Sequence, residues 1–406
     1  MTTTMTTVDN ILKEVYEDRL VDQLQSEVIT LMRIEKTSEG VDEDAVGGKY
    51  TKFALRTRRN HGVGARSELQ ALPTPRTQAY KAAQVNLKYL YGSILLTGQT
   101  MKLAETKRQS FASVLDREIN GMRQTLKKDV NRQMYGSTEG RLATATAAGT
   151  TLTLVTTNGK YVEEGMFVDL YDVTDVLNDA DVEVTSVVES SGTWTITFGT
   201  AVTATATGDY ITRTGSKDQE KTGFENVIIG TGTGGGALYG VTDNVWTANY
   251  DNVNGALSEG AMISMVNKIR TRGGMPSVGF STLGVQTAYF NLLSAQRRYT
   301  NTTEFAGGFK GLAFTVDGRD IPIVADFDCS QGTATGGRLF FVEEDEYKLF
   351  QAGDWSWLDK GGSMWERHRD ASGRYDAWVA DLHKYCEIAT HRRNAHGVLD
   401  NVTEVI

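Results

Sequence analysis

Chemistry in this chain would have to come from a few constellations, and each fails on spacing or context. Gly230-Thr231-Gly232-Thr233-Gly234-Gly235 satisfies G-x-G-x-x-G and follows the apolar run Val227-Ile228-Ile229. A dinucleotide fingerprint must open a helix whose N-terminus receives the pyrophosphate. Here Gly236-Ala237-Leu238-Tyr239-Gly240-Val241 follows, with another glycine break and no amphipathic period, so the stretch reads as a flexible loop. A soluble nucleotide-cofactor enzyme is the one alternative that would give this loop a use. His391 and His396 stand five apart before Gly397, which misses the i, i+4 spacing that puts two imidazoles on one helix face for zinc. Cys329 and Cys386 are far apart and have no metal-like spacing, so they read as buried filler. The acidic run Glu343-Glu344-Asp345-Glu346 follows a strand-like segment and reads as a solvated turn. No nucleophile elbow, kinase set or P-loop is present. The sequence therefore assigns no catalytic residue, no metal and no cofactor.

What remains are the elements, and one of them dominates. Residues 101–134 contain no proline and one glycine, with Phe111, Leu115, Ile119, Met122, Leu126, Val130 and Met134 spaced three or four apart on one stripe. A helix of that length spans about 50 Å, far longer than the usual ~11–12 residues, and Gly136 supplies a stop. Before it, Asp9 caps a first helix with a stripe from Leu12 through Tyr16, Leu20, Leu24 and Val28 to Leu31. Its apolar face has no sequence neighbour, so it packs on something remote or on another chain.

Between the two helices lies a basic hairpin. Lys49, Lys52, Arg56, Arg58, Arg59 and Arg66 face Glu68 alone, around the turn composition of 58–64. The chain then returns through an alternating run, 80–91, that reads as a strand. A two-stranded arm with so few apolar residues has little core of its own and is ordered against a partner. It also lacks the interleaved aromatics of a base-stacking platform, which leaves only nonspecific phosphate contact.

The charge of −9 is segregated: 21 basic and 16 acidic side chains in 1–136, 3 and 11 in 137–215, and 18 and 24 in 216–406. Residues 143–215 also change in composition, to Thr, Val, Ala and Gly, with short alternating runs and turns at Asn158-Gly159, Ser191-Gly192 and Gly208-Asp209. That pattern reads as a small acidic β-sandwich or barrel inserted in a larger body. The body resumes with helices at 257–270, capped by Ser258, and 285–297, and with strands at 278–281, 312–316, 321–325 and 339–342. It ends in a tryptophan-rich block and the basic knot His391-Arg392-Arg393. No apolar run approaches the ~18 residues of a membrane span, and the start MTTTMTTVDN lacks the parts of a signal peptide, which points to the cytoplasm.

This order of parts resembles the tailed-bacteriophage major capsid proteins of the Hong Kong-ninety-seven type. The resemblance implies an α+β fold with an N-terminal arm (1–46), an extended β-hairpin loop with its return strand (47–96) and a spine helix of the peripheral domain (97–142). An inserted all-β domain (143–215), an axial domain (216–334) and a C-terminal part returning to the peripheral domain (335–406) follow. It implies a structural protein that self-assembles as hexamers and pentamers into an icosahedral head around double-stranded DNA, within the virion and assembled in the bacterial host cytoplasm. Scaffolding, portal and decoration proteins are the further partners it implies, and no membrane. Only about ten residues precede the first helix, where the family's prototype has a long scaffolding segment, so scaffolding is expected from a separate protein. The prototype's lysine–asparagine crosslink finds only residue types here, Lys49 or Lys52 and Asn394, with no motif aligning them. An encapsulin-like compartment around protein cargo shares the fold and is the alternative. The basic hairpin residues are the expected intersubunit contacts, and the stripe Phe111 to Met134 is the expected core face of the spine.

Overall fold

The computed structural model describes residues 27–37, 50–100, 108–296, 312–316, 318–332, 336–359, 363, 365–370 and 373–405. Of the long helix's side chains, those from residue 118 onward are described. The first-helix stripe from Leu12 to Leu24 lies outside these residues, as does Lys49.

A short helix α1 (Thr30–Thr37) leads to the ribbon β1 (Tyr50–Arg58) and β2 (Ala79–Asn86), antiparallel from Tyr50 opposite Asn86 to Arg58 opposite Ala79. Alternation along β1 sets its two faces: Thr51, Phe53, Leu55 and Thr57 are half-buried, and Tyr50, Lys52, Ala54, Arg56 and Arg58 are exposed. The ring of Phe53 packs 4.8 Å from His391 and 6.4 Å from both Tyr239 and Trp246, centroid to centroid. The Gln84 N–H donates to the Tyr239 carbonyl at 3.0 Å. The hairpin's base is thereby fixed to the body and its tip projects.

β3 (Lys88–Thr97) precedes the long helix α2 (Arg108–Tyr135). Then β4 (Arg141–Thr144), β5 (Thr153–Thr156), β6 (Phe167–Tyr171), β7 (Leu177–Ser190), β8 (Thr193–Phe198) and β9 (Tyr210–Arg213) form one sheet in the order β4-β9-β6-β7-β8-β5. The Thr146 N–H donates to the Val155 carbonyl at 2.9 Å and Ala147 bridges Val155, so the continuation of β4 meets β5 and the sheet closes into a barrel. Closure removes the exposed edges that a small sheet would otherwise present. Its interior is Leu142, Leu154, Val168, Leu170, Val184, Ile196, Phe198 and Ile211, all buried. Strand β4 is invisible in the sequence pattern because its apolar pair Leu142-Ala143 is too short to show a period.

The body is built on β10 (Asn249–Gly255), α3 (Glu259–Thr271), β11 (Val278–Ser281), α4 (Leu283–Gln296), β12 (Leu312–Val316), β13 (Arg319–Ala325) and β14 (Gly336–Val342). After β15 (Tyr347–Gln351), β16 (Ser356–Trp357), β17 (Glu366–Asp370) and β18 (Gly373–Thr390), the chain returns with β19 (Gly397–Thr403) to complete the sheet β10-β19-β14-β11-β13-β12. The hydroxyl of Ser258 accepts from the Ala261 N–H at 3.2 Å and caps α3. Met262, Met265, Val266 and Ile269 of α3 share a cluster with Leu339, Phe341 and Leu399 on one sheet face. Phe340, Val342 and Val398 pack on the other, with Tyr135 and Phe224. Strand β14 is buried along its whole length, which is why Leu339 to Val342 run apolar without alternation, while the buried Arg338 before them is paired with Asp400 at 2.9 Å.

Long-range pairing joins the ends of the chain: β3 lies antiparallel to β18 from Lys88 opposite Cys386 to Thr97 opposite Ala377. Helix α2 packs on the inner face of β3 at Gly92, where an added Cβ would fall 2.7 Å from Leu126 Cδ1 and 2.8 Å from Met122 Sδ. A Gly92→Val substitution is therefore expected to cost about 1–3 kcal/mol by overpacking, read as a lower urea midpoint with an unchanged slope.

Candidate assembly surface and the buried joint behind it

The predicted hairpin residues fall into two groups. Lys52, Arg56 and Arg58 project from the exposed face of β1, with the Lys52 ammonium 5.0 Å from the centre of the Tyr50 ring, and Arg59 is exposed just beyond. Arg66 turns inward on its own loop, its Nε donating to the Ala71 carbonyl at 2.8 Å, and Glu68 is exposed. Around them, Val63 (81%), Leu69 (102%) and Leu72 (85%) stand out in solvent. The tip is thus basic and apolar at once, and none of the described residues covers it.

Along α2, Ile119 and Met122 are half-buried, whereas Leu126, Val130 and Met134 are buried. Phe111 and Leu115 lie outside the described side chains. From Asn131 to Tyr135 every residue is buried, so the helix end is enclosed all round and a one-stripe reading misses Asn131, Arg132, Gln133 and Tyr135. The reason is a polar joint. Asp326 Oδ2 accepts from the Thr30 N–H at 3.2 Å and from the Thr30 hydroxyl at 2.7 Å, and the Thr30 hydroxyl also meets the Tyr135 hydroxyl. The Asn131 amide donates to Asp326 at 3.1 Å and to Asp328 at 2.8 Å, while its oxygen accepts from the Leu31 N–H at 3.0 Å. From the barrel, the Lys160 ammonium donates to the carbonyls of Phe327 (2.8 Å) and Cys329 (2.6 Å), and the Tyr161 hydroxyl to that of Asp328 (2.8 Å). Burial pushes the Asp328 carboxyl up to about 6. Nearby, Arg132 binds Asp129 at 3.1 Å and also Glu220, and Arg213 of the barrel reaches Asp129 at 3.3 Å.

Two sequence expectations are corrected here. The loop after Ile229 is an ordered collar: the fully buried Arg393 donates to the carbonyls of Val227 (2.7 Å), Gly236 (2.8 Å), Gly235 (2.8 Å), Asn226 (3.1 Å) and Trp246 (3.3 Å). Gly230 permits that approach, since a Cβ there would fall 1.9 Å from the Gly235 carbonyl oxygen, at a φ of 56°. The acidic run is a joint rather than a solvated turn: Glu344 is buried against Arg33 and Ser277, Glu343 accepts the Met275 N–H at 3.0 Å, and Glu346 meets Arg392 at 3.3 Å. His396, also fully buried, accepts the Glu343 N–H on Nδ1 at 3.3 Å and donates from Nε2 to the Thr390 hydroxyl at 2.7 Å. Among the described residues no group of His, Cys, Asp and Glu converges to hold a metal ion, and no helix is long and apolar enough to cross a membrane.

No protein-family model and no curated protein matches the chain. Solved structures do match over its whole length. One is a chain of the capsid asymmetric unit of cyanophage A-1(L), at 12% identity and a TM-score of 0.61, with 99% of this chain and 100% of that chain covered. Another comes from the capsid of a native GTA particle, at 10% identity and 0.51, with 99% of each covered. A third is from Mycobacterium phage Bobi, at 10% and 0.50, with 98% of each covered. At such identities the likeness is one of fold.

Replacing Asp326 by Ala strands the donors of Thr30 and Asn131 in the interior and is expected to cost about 3–5 kcal/mol, measured by urea unfolding. His396 contributes to acid sensitivity, as do the lowered carboxyls of Asp129 and Asp175: burial, then the nearby Arg392, pushes the His396 imidazole down to about 3 from the ordinary 6.5. Above pH 6.5 neither folded nor unfolded chain holds that proton. Between 6.5 and about 3 only the unfolded chain binds it, so stability falls with pH by roughly a kcal/mol per unit. Asp328, and Glu387 raised by burial to about 7, act with the opposite sign. The measurement is therefore a comparison: His396→Gln should be less stable at pH 8 but have a shallower decline toward pH 4, and parallel profiles would clear the imidazole.

Proposed function

We propose that this chain, whose fold is that of tailed-phage major capsid proteins, is the shell-forming subunit of a phage head. Many copies close, as hexamers and pentamers, into an icosahedral shell around double-stranded DNA, with no turnover. The chain then divides into an N-terminal arm to residue 46, an extended loop to 96, a spine helix to 142, an inserted barrel to 215, an axial domain to 334 and a peripheral return. The observation that carries the reading is the hairpin: its base is clamped by Phe53 while Val63, Leu69 and Leu72 at its tip are bare. Apolar groups displayed on an arm without a core are the mark of a surface covered by another chain. Individually modest contacts suffice, because a closed symmetric assembly makes each of them many times.

Exposed Arg123 and Lys127 on α2 suit weak, salt-sensitive contact with packaged DNA. Scaffolding, portal and decoration proteins would be further partners, with assembly in the host cytoplasm and residence in the virion.

Deleting residues 56–68 is expected to leave a soluble, folded subunit that forms no shells by electron microscopy. Normal particles from that deletion would remove the hairpin from assembly. Nucleic acid extracted from purified particles distinguishes a DNA-filled head from a compartment that encloses protein.

A further inference from the structure

The hairpin tip and the barrel are complementary in both charge and apolar character. Residues 161–212 hold ten Asp and Glu and not one Lys or Arg, while 53–80 hold five Arg and a single Glu. Some of this charge is already met: Lys217 and Arg141 approach Asp175 at 3.4 and 3.9 Å, and Lys128 approaches Glu163 at 2.8 Å. Glu164, Asp181, Glu183 and Glu189 are exposed and form no ion pair among the described residues. Apolar side chains are set among them. Phe167, 51% exposed, lies opposite Glu183 in the β6–β7 ladder, and Val173, Val176 and Leu177 are exposed where those strands connect.

The tip is a built surface. The Ser67 N–H donates to Gln70 Oε1 at 3.1 Å, the Gln70 N–H to the Ser67 carbonyl at 3.2 Å, and Arg66 to Ala71. Within this turn Leu69 is held at a φ of 65° with its side chain wholly in solvent. A left-handed backbone is unfavourable for leucine, and here it goes with a side chain that packs on none of the described residues. Arg58 and Arg59, at the end of β1 where the loop begins, are exposed and without an ion pair among the described residues.

We propose that the hairpin tip of one copy seats on the β6–β7 face of a neighbouring copy's barrel, with Arg58 and Arg59 meeting Asp181 and Glu183 and with Leu69 covering Phe167. This rests on the shell-forming reading and names the surface that receives the tip. Like charges across such a contact are strongly unfavourable, and complementary ones set the register and speed of association.

The test uses the full chain. Arg58→Glu with Arg59→Glu should cut particle yield at least about tenfold while circular dichroism of the unassembled chain is unchanged. Adding Asp181→Arg and Glu183→Arg to that chain should restore particles. Independently, Leu69→Cys with Phe167→Cys should give disulfide-linked ladders beyond the dimer from oxidised particles, against a quiet background because Cys329 and Cys386 are buried. Full-yield particles from the tip reversal, together with no ladder, overturn this contact and leave the shell reading standing. Failure of the unaltered chain to form particles when expressed together with the scaffolding partner that the shell reading expects overturns that reading itself.

Discussion

The Asp326 carboxylate is the constraint on which the rest of the structure depends. It is 2% exposed and takes hydrogen bonds from Thr30, from Asn131 and from the Asp328 N–H, the last at 2.9 Å. Those groups belong to α1, to the end of α2 and to the loop after β13. The same loop receives Lys160 and Tyr161 from the barrel. One buried anion therefore sets the relative placement of the N-terminal segment, the long helix, the body sheet and the barrel. An acid near the first turn of α1 also complements that helix's dipole, which α1 cannot do itself because its first turn has no acidic residue.

A second buried charge works by a different rule. Among the described residues Arg393 has no carboxylate paired with it, and five backbone carbonyls satisfy its fork instead. Burial pushes its guanidinium down to about 10, still far above neutral pH, so the cation persists. Lysine could not fill this collar, because an ammonium lacks the planar five-donor geometry. The loop that looks like a phosphate cradle in sequence thus presents its carbonyls inward to a cation. The body's rigidity matters for the proposed assembly, because a hairpin clamped at Phe53 on this same region can carry a partner's pull without unfolding its base.

Much of the architecture is legible because it is local. Ser258 before an amphipathic run marks the cap of α3, and the four residues 278–281 after Pro276 mark β11. The alternating runs around 166–170, 182–188 and 193–198 mark barrel strands, since period two survives wherever one face is buried. β4 escaped because two apolar residues show no period. The enclosed end of α2 escaped because Asn131, Arg132 and Gln133 look solvent-facing, and only their remote partners make them interior. On the hairpin, residue type alone could not separate Arg58, which points outward, from Arg66, which holds its own loop.

By itself the sequence determined the helices near 108–135, 259–271 and 283–296, the strand runs, the basic arm and the acid-rich middle, because propensity, periodicity and composition act over a few residues; it did not show that 27–29, inside the first helix's expected stripe, are non-helical. Only the tertiary structure decided that the middle strands close into a barrel and that β3 finds β18 almost three hundred positions away. It alone made Glu344 and Arg393 interior groups with partners and left Leu69 bare. Burial and pairing are properties of groups brought together from distant positions, and desolvation can be judged only when all the neighbours are in place.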